Sequence, residues 1–146
     1  MIRSVSAVMA LLMAAVIVSV AAPGIAQAAA SCNSFTTYGS ETAHVRVPSI
    51  GWDSGVIECE LGRGNIGDAV RVLQVSMRSC YGQNIADDRE FGPKTQQALR
   101  NVQNLLGVPS DGRYGPQTRR AGFLFAAYPT FETWNPTPGA CYRLLA

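Results

Sequence analysis

From Ala7 to Ala22 the chain is almost unbroken apolar sequence, preceded by Met1-Ile2-Arg3 and followed by Pro23-Gly24 and the small-residue run Ala26 to Ala30. A basic start, an apolar middle and an Ala-x-Ala site predict a secretory leader over residues 1–30. The apolar stretch is shorter than the ~20 residues a bilayer span requires, so a retained anchor is the lesser alternative. Past the leader the pattern becomes alternation. Ala43-His44-Val45-Arg46-Val47 and Val56-Ile57-Glu58-Cys59-Glu60-Leu61 place apolar and polar residues in turn, and Pro48 to Gly55 between them are turn formers. A β-hairpin, or two loosely paired strands, is expected, with His44, Glu58 and Glu60 on its wet side.

From residue 63 the period becomes helical. Ile66, Val70, Leu73 and Met77 share one face after a cap-rich entry at Asn65 to Asp68, and Gly82 stops the run. A second helix opens at Gly92-Pro93, carries Thr95, Ala98, Leu99, Val102, Leu105 and Leu106 on one face, and ends at Gly107. A third opens at Gly115-Pro116, with Ala121, Leu124, Phe125 and Tyr128 as its stripe. Three short amphipathic helices must share a core. Pro129, Pro136, Pro138 and Gly139 then predict an irregular tail. The expected fold is mainly α: a three-helix bundle with a duplicated helix-loop unit over residues 63–128. A small N-terminal β-hairpin-like segment over 31–62 and an irregular C-terminal tail over 129–146 flank it.

Removing the leader leaves about 116 of the 146 residues, one domain's worth. It also deflates the 47% hydrophobic fraction to that of an ordinary soluble protein. Twelve Lys and Arg face ten Asp and Glu, interspersed rather than gathered into a basic surface, which argues against nucleic acid as a partner. Four cysteines, Cys32, Cys59, Cys80 and Cys141, follow the leader. An even number in a small exported chain reads as two disulfides, and no Cys-x-x-Cys pair suggests zinc. Of three pairings, Cys32 with Cys59 and Cys80 with Cys141 is preferred. The first pair flanks one local β-like segment, and the second ties the tail back to the helices.

His44 is the sole histidine. The sequence holds no His-Glu-x-x-His and no Gly-x-Ser-x-Gly elbow. Residue type alone leaves a carboxylate pair open among Glu58, Glu60, Asp87, Asp88 and Glu90, but their spacing is undistinguished. No cofactor and no metal is implied.

The strongest pattern is an internal repeat. Asp88-Arg89-Glu90-Phe91-Gly92-Pro93-Lys94-Thr95 corresponds, twenty-three residues on, to Asp111-Gly112-Arg113-Tyr114-Gly115-Pro116-Gln117-Thr118. Leu73-Gln74 precedes one copy and Val102-Gln103 the other. Together with Gly67 to Gln74 and Gly107-Val108, these motifs resemble the peptidoglycan-binding domain common to bacterial cell-wall hydrolases. The resemblance covers residues 63–128. It implies a three-helix module with a duplicated helix-loop unit, adhesion to cell wall and no cleavage. Two departures stand out: Arg89 occupies the place of a glycine, and the Gln74 to Asp88 stretch is long.

Aromatic rings stack on sugar faces, and arginine pairs bidentately with carboxylates. Ligand contacts are therefore expected from Arg89, Phe91, Arg113 and Tyr114, with Asp88 and Asp111 shaping the loops. Trp52 and Trp134 lie outside the resemblance, and each could be core or an added sugar platform. The protein is thus expected to be a secreted, non-enzymatic, wall-associated binder of peptidoglycan, with no stable membrane insertion once the leader is removed. A small wall hydrolase working through carboxylates, and a protein-binding or inhibitory module on the same fold, are the alternatives.

Overall fold

The computed structural model describes residues 29–144. The expected leader lies outside the described residues through residue 28. Seven elements follow in order: β1 (Ser34–Ser40), β2 (Ala43–Ser49), α1 (Asp68–Tyr81), α2 (Pro93–Leu106), α3 (Pro116–Arg120), β3 (Leu124–Tyr128) and β4 (Cys141–Arg143). The strands form one antiparallel sheet in the order β1-β2-β3-β4.

This overturns the expectation of a mainly α three-helix bundle. The third helix is one short turn, because after its cap residue Ala121 the chain takes a φ of 94° at Gly122 and then extends into β3. Leu124, Phe125 and Tyr128 fit a helical stripe, but Leu124-Phe125-Ala126-Ala127-Tyr128 is equally a strand buried on both faces, and so short an apolar run does not reveal its period. The tail expected to be irregular supplies β4, in which Cys141 faces Ala126 of β3. Ser34 to Ser40, rich in Ser and Thr, forms the strand that pairs with β2. Val56 to Leu61 makes only isolated bridges, at Glu60 and Leu61.

The two long helices form much as their sequence requires. α1 carries Asp68 in its first turn and Arg78 in its last, the signs that the helix dipole favours, and Gly82 closes it at a φ of 63°. α2 opens on Pro93 and closes at Gly107 with a φ of 70°. Val70, Leu73 and Met77 of α1 and Leu99 and Val102 of α2 are buried with Val45, Val47, Phe91, Tyr114, Phe123 and Phe125 in one core. Ile66 and Leu105, assigned to the apolar stripes, are instead exposed at 73% and 71%.

His44 and Arg46 are each only 2% exposed, although alternation placed His44 on a wet face. β2 is an interior strand, and the chain after β3 folds over its polar-looking side. The His44 ring stacks on Tyr128 and lies 4.4 Å from Phe131. Alternation therefore marks two buried faces of different chemistry here. Disulfides join Cys32 to Cys59 and Cys80 to Cys141, the two pairs preferred from sequence. One ties the hairpin to the segment entering α1, and the other ties the end of α1 to β4.

Candidate functional site

Each repeated loop is built around a buried glutamine from the preceding helix. Gln74, 1% exposed, has its amide nitrogen 2.8 Å from Asp88 Oδ1 and 3.0 Å from both the Glu90 carbonyl and Thr95 Oγ1, sharing two hydrogens among three acceptors. Its Oε1 accepts the Arg89 N–H at 3.0 Å. Gln103 repeats this one loop later. Its nitrogen reaches Asp111 Oδ1 and the Arg113 carbonyl at 2.8 Å and Thr118 Oγ1 at 3.0 Å, and its Oε1 accepts the Gly112 N–H at 2.8 Å. The aspartates complete the turns by accepting Glu90 N–H at 3.0 Å and Arg113 N–H at 2.9 Å. Those N–H bonds, first from Glu90 and then from Gln74, hold the Asp88 carboxyl below its usual range.

The two turns are the same turn. Arg89 has a φ of 69° and Gly112, its counterpart, 72°. The arginine at the family's glycine position therefore accepts a left-handed backbone rather than changing the loop. A Cβ fits only in the first copy: at Gly112 it would lie 2.6 Å from Gln96 Cγ. The long Gln74 to Asp88 stretch also has a simple origin, since α1 continues to Tyr81 whereas α2 ends at Leu106, just past Gln103.

Residues 59–67 thread between the two loops and bond to both. Leu61 and Tyr114 exchange backbone hydrogen bonds of 2.8 and 2.9 Å, Phe91 N–H donates to the Asn65 carbonyl at 2.9 Å, and Gly67 N–H donates to that of Arg89 at 2.9 Å. The segment also supplies the acids that meet the loop arginines. Glu60 Oε2 accepts from Arg113 Nη2 at 2.7 Å, and Asp68 Oδ1, one residue past the segment, lies 3.2 Å from Arg89 Nε. Arg113 is correspondingly held above the ordinary guanidinium pKa, mainly by its bond to Glu60.

Of the residues expected to touch ligand, Arg89 and Arg113 expose 52% and 58% of their side chains, and Asp88 and Asp111 lie at the surface while bracing the turns. Phe91 and Tyr114, exposed 2% and 0%, are wedges that plug each loop into the core and present no ring to solvent. Burial pushes the Tyr114 hydroxyl pKa up, and that hydroxyl has no hydrogen-bond partner. The four arginine and aromatic side chains thus do not line one groove. A cleft of about 120 Å³ includes Glu60, Asp111, Arg113 and Gln117. A wider groove of about 420 Å³ runs past Gln83, Asn84, Lys94, Gln97 and Asn101, a surface of side-chain amides beside one cation. Sequence reasoning marked Gln74 and Gln103 as companions of the repeat but gave them no role, although a polar residue recurring inside an apolar helical stripe was the visible signal.

Glutamine-stapled helix-loop units in tandem, tied by a shared segment, define a duplicated helix-loop module. The chain carries a domain of the family described as putative peptidoglycan binding domain, whose model matches residues 66–121. It is 38% identical over 60 residues to the zinc D-Ala-D-Ala carboxypeptidase of Streptomyces albus G, covering 40% of this chain but only 24% of that protein. It is 32% identical over 99 residues to a protein described as uncharacterized, from the bpoA1 3' region of Kitasatospora aureofaciens, covering 67% of this chain and 84% of that one. Among solved structures it is similar to the SleB N-terminal domain, at 33% identity and a TM-score of 0.41, covering 43% of this chain and 86% of that one. It is also similar to a Clostridioides difficile peptidoglycan-binding protein in complex with glutamine hydroxamate, at 24% identity and a TM-score of 0.43, covering 57% and 53% of the two chains. Among the described residues, no helix is long and apolar enough to cross a membrane.

Proposed function

We propose that this is a non-catalytic peptidoglycan-binding protein, exported by its leader and retained at the cell wall. Arg89 and Arg113 meet the carboxylates of the wall's stem peptides, Asp88 and Asp111 hold the turns that present them, and the amide-lined groove by Lys94 receives peptide groups. The observation that carries this reading is the state of the two arginines. Each is more than half exposed and held by one carboxylate of the protein. Such a surface pair is worth only about 0–1 kcal/mol, so a ligand carboxylate can displace it. Bidentate pairing with the incoming group then recovers more than is lost.

Most of the acids around the repeated loops are committed to structure, which supports a binding role; of the candidate carboxylates only Glu90 has no side-chain partner among the described residues. Asp88 and Asp111 brace turns, Asp87 pairs with Arg78 at 2.8 Å and Arg71 at 3.4 Å, Glu58 holds Arg119 and Arg120, and Glu60 holds Arg113. Membership of a wall-binding family supports the location.

The test is co-sedimentation of the mature chain with insoluble peptidoglycan at moderate salt. The wild type should pellet, and the double variant Arg89→Ala/Arg113→Ala should pellet several-fold less at an unchanged melting temperature. A wild type that stays in the supernatant would overturn the function, and an undiminished double variant would remove the arginines from the site. Turbidity of a wall suspension should stay constant in its presence. A progressive fall would replace the binder with a hydrolase.

A further inference from the structure

Outside the family-matched residues, the loop joining β2 to Cys59 holds an indole out in solvent. Trp52 is 71% exposed, and yet the backbone around it is closely braced. Gly51 N–H donates to Asn33 Oδ1 at 2.8 Å, Asp53 N–H to the Phe35 carbonyl at 3.0 Å, Gly55 N–H to Thr36 Oγ1 at 3.0 Å and Ile50 N–H to the Val56 carbonyl at 2.9 Å. Asp53 itself takes a φ of 47°, a conformation that persists in a non-glycine residue only where its surroundings impose it. A rigid loop presenting a large apolar ring to water has its binding entropy settled in advance.

Beside the indole lies a cleft of about 350 Å³ lined by Phe35, Thr37, Arg46, Trp52, Asp53 and Phe131. That is within the range of small-ligand sites, roughly 300–1,000 Å³. Its chemistry is specific. Three rings supply apolar faces. Asp53, at the surface, spends one acceptor site on the Thr37 N–H at 2.8 Å and keeps the rest of its carboxylate for donors. Arg46 is 98% buried by its 2% exposure, its guanidinium 4.3 Å from the Tyr128 ring, 4.4 Å from Trp134 and 5.2 Å from Phe35. Nη2 donates to the Phe131 carbonyl at 2.7 Å, but Nε and Nη1 have no partner. The cleft thus combines stacking faces, an acceptor for hydroxyl groups and buried donors that lack an acceptor.

We propose that this cleft binds an N-acylated hexosamine ring of a glycan, with the sugar face on Trp52, hydroxyls to Asp53 and Thr37, and the acyl carbonyl towards the Arg46 end. A neutral carbonyl suits those donors, whereas a carboxylate ligand would be repelled by Asp53 at the mouth. The choice of glycan rests on the wall-binding reading, but the site does not depend on the loops of residues 88–118. The protein would then hold glycan on its hairpin and stem peptide on its helical module.

The test uses a soluble β-linked N-acetylglucosamine tetramer, which carries no stem peptide, titrated calorimetrically into the full mature chain. Binding is expected for the wild type and for Arg89→Ala/Arg113→Ala. Trp52→Ala should weaken it roughly tenfold or more, as loss of an aromatic stacking contact implies, at an unchanged melting temperature. Asp53→Asn should also weaken it, and cellotetraose, lacking the acyl group, should bind markedly less. A wild type that pellets with peptidoglycan but ignores the tetramer would overturn the glycan site while leaving wall binding intact. Equal affinity of Trp52→Ala, or of cellotetraose, would overturn the assignment of ring or acyl group respectively.

Discussion

Tyr114 and His44 show how far a side chain's role departs from its type. Tyr114 has the chemistry of a ligand-stacking residue, but its ring is fully buried and its hydroxyl is unpaired. The other loop carries Phe91 at the corresponding position. Tyr114→Phe should therefore leave co-sedimentation unchanged and raise stability by up to about 1 kcal/mol, since it removes a desolvated hydroxyl without opening a cavity. Chemical denaturation reads this directly, and a loss above 1 kcal/mol would mean that the hydroxyl has a partner. His44 is buried among aromatics, and burial, then the charge of Arg46, lowers its pKa below the ordinary 6.5. The unfolded chain takes up a proton near pH 6.5 while the folded one resists until lower pH. Its contribution is complete above about pH 6.5 and is lost as pH falls towards the depressed value. The melting temperature should decline between pH 7.5 and pH 5, and His44→Phe should flatten that decline. An equal slope in both proteins would place the titrating group elsewhere. The Asp87 carboxyl acts at a lower pH: burial alone would raise its pKa, but Arg78 and Arg71 hold it below the ordinary value.

At the level of elements, the repeated loop is a glutamine with a turn wrapped around it. Gln103→Ala would orphan the buried Gly112 N–H and leave the Arg113 carbonyl only the long 3.5 Å bond from Thr118 Oγ1, so it should cost roughly 3 kcal/mol. Gln74→Ala should cost a similar amount, and Gln103→Glu more, because a carboxylate faces Asp111 where an amide donated. A measured loss under 1 kcal/mol for Gln103→Ala would mean that the loop is held by its aromatic wedge alone. The repeat was legible because Asp, Gly-Pro and Thr recur at one offset, each for a local reason. The role of its aromatics was not, since a repeated wedge and a repeated platform look alike in sequence. The strands were the least legible elements. Leu124 to Tyr128 carries no period, Ser34 to Ser40 lacks apolar residues beyond Phe35 and Tyr38, and β4 exists through pairing with β3 and the link to Cys80. Alternation found β2 but misjudged His44, because a distant segment covers that face.

Over the whole molecule, the family-matched helices and loops and the flanking sheet are one body with a single main core. The disulfides close loops of different size, 27 residues for Cys32–Cys59 and 61 for Cys80–Cys141. Loop-closure entropy assigns them about 3.5 and about 4 kcal/mol. Cys80→Ser/Cys141→Ser should therefore lower stability at least as much as Cys32→Ser/Cys59→Ser, and a markedly greater loss for the shorter loop would mean that native packing, not chain entropy, decides. The positions of these links also set how a pull would travel. Tension arriving at Cys32 crosses directly to Cys59 and enters the segment that bonds to Tyr114 and Phe91. Tension arriving at Cys141 crosses to Cys80 and enters α1. The β1-β2 hairpin and the tail before Cys141 lie off that line, like slack beside a taut rope. Force applied at the two chain ends would thus pass from one disulfide to the other and bypass the hairpin and its exposed indole.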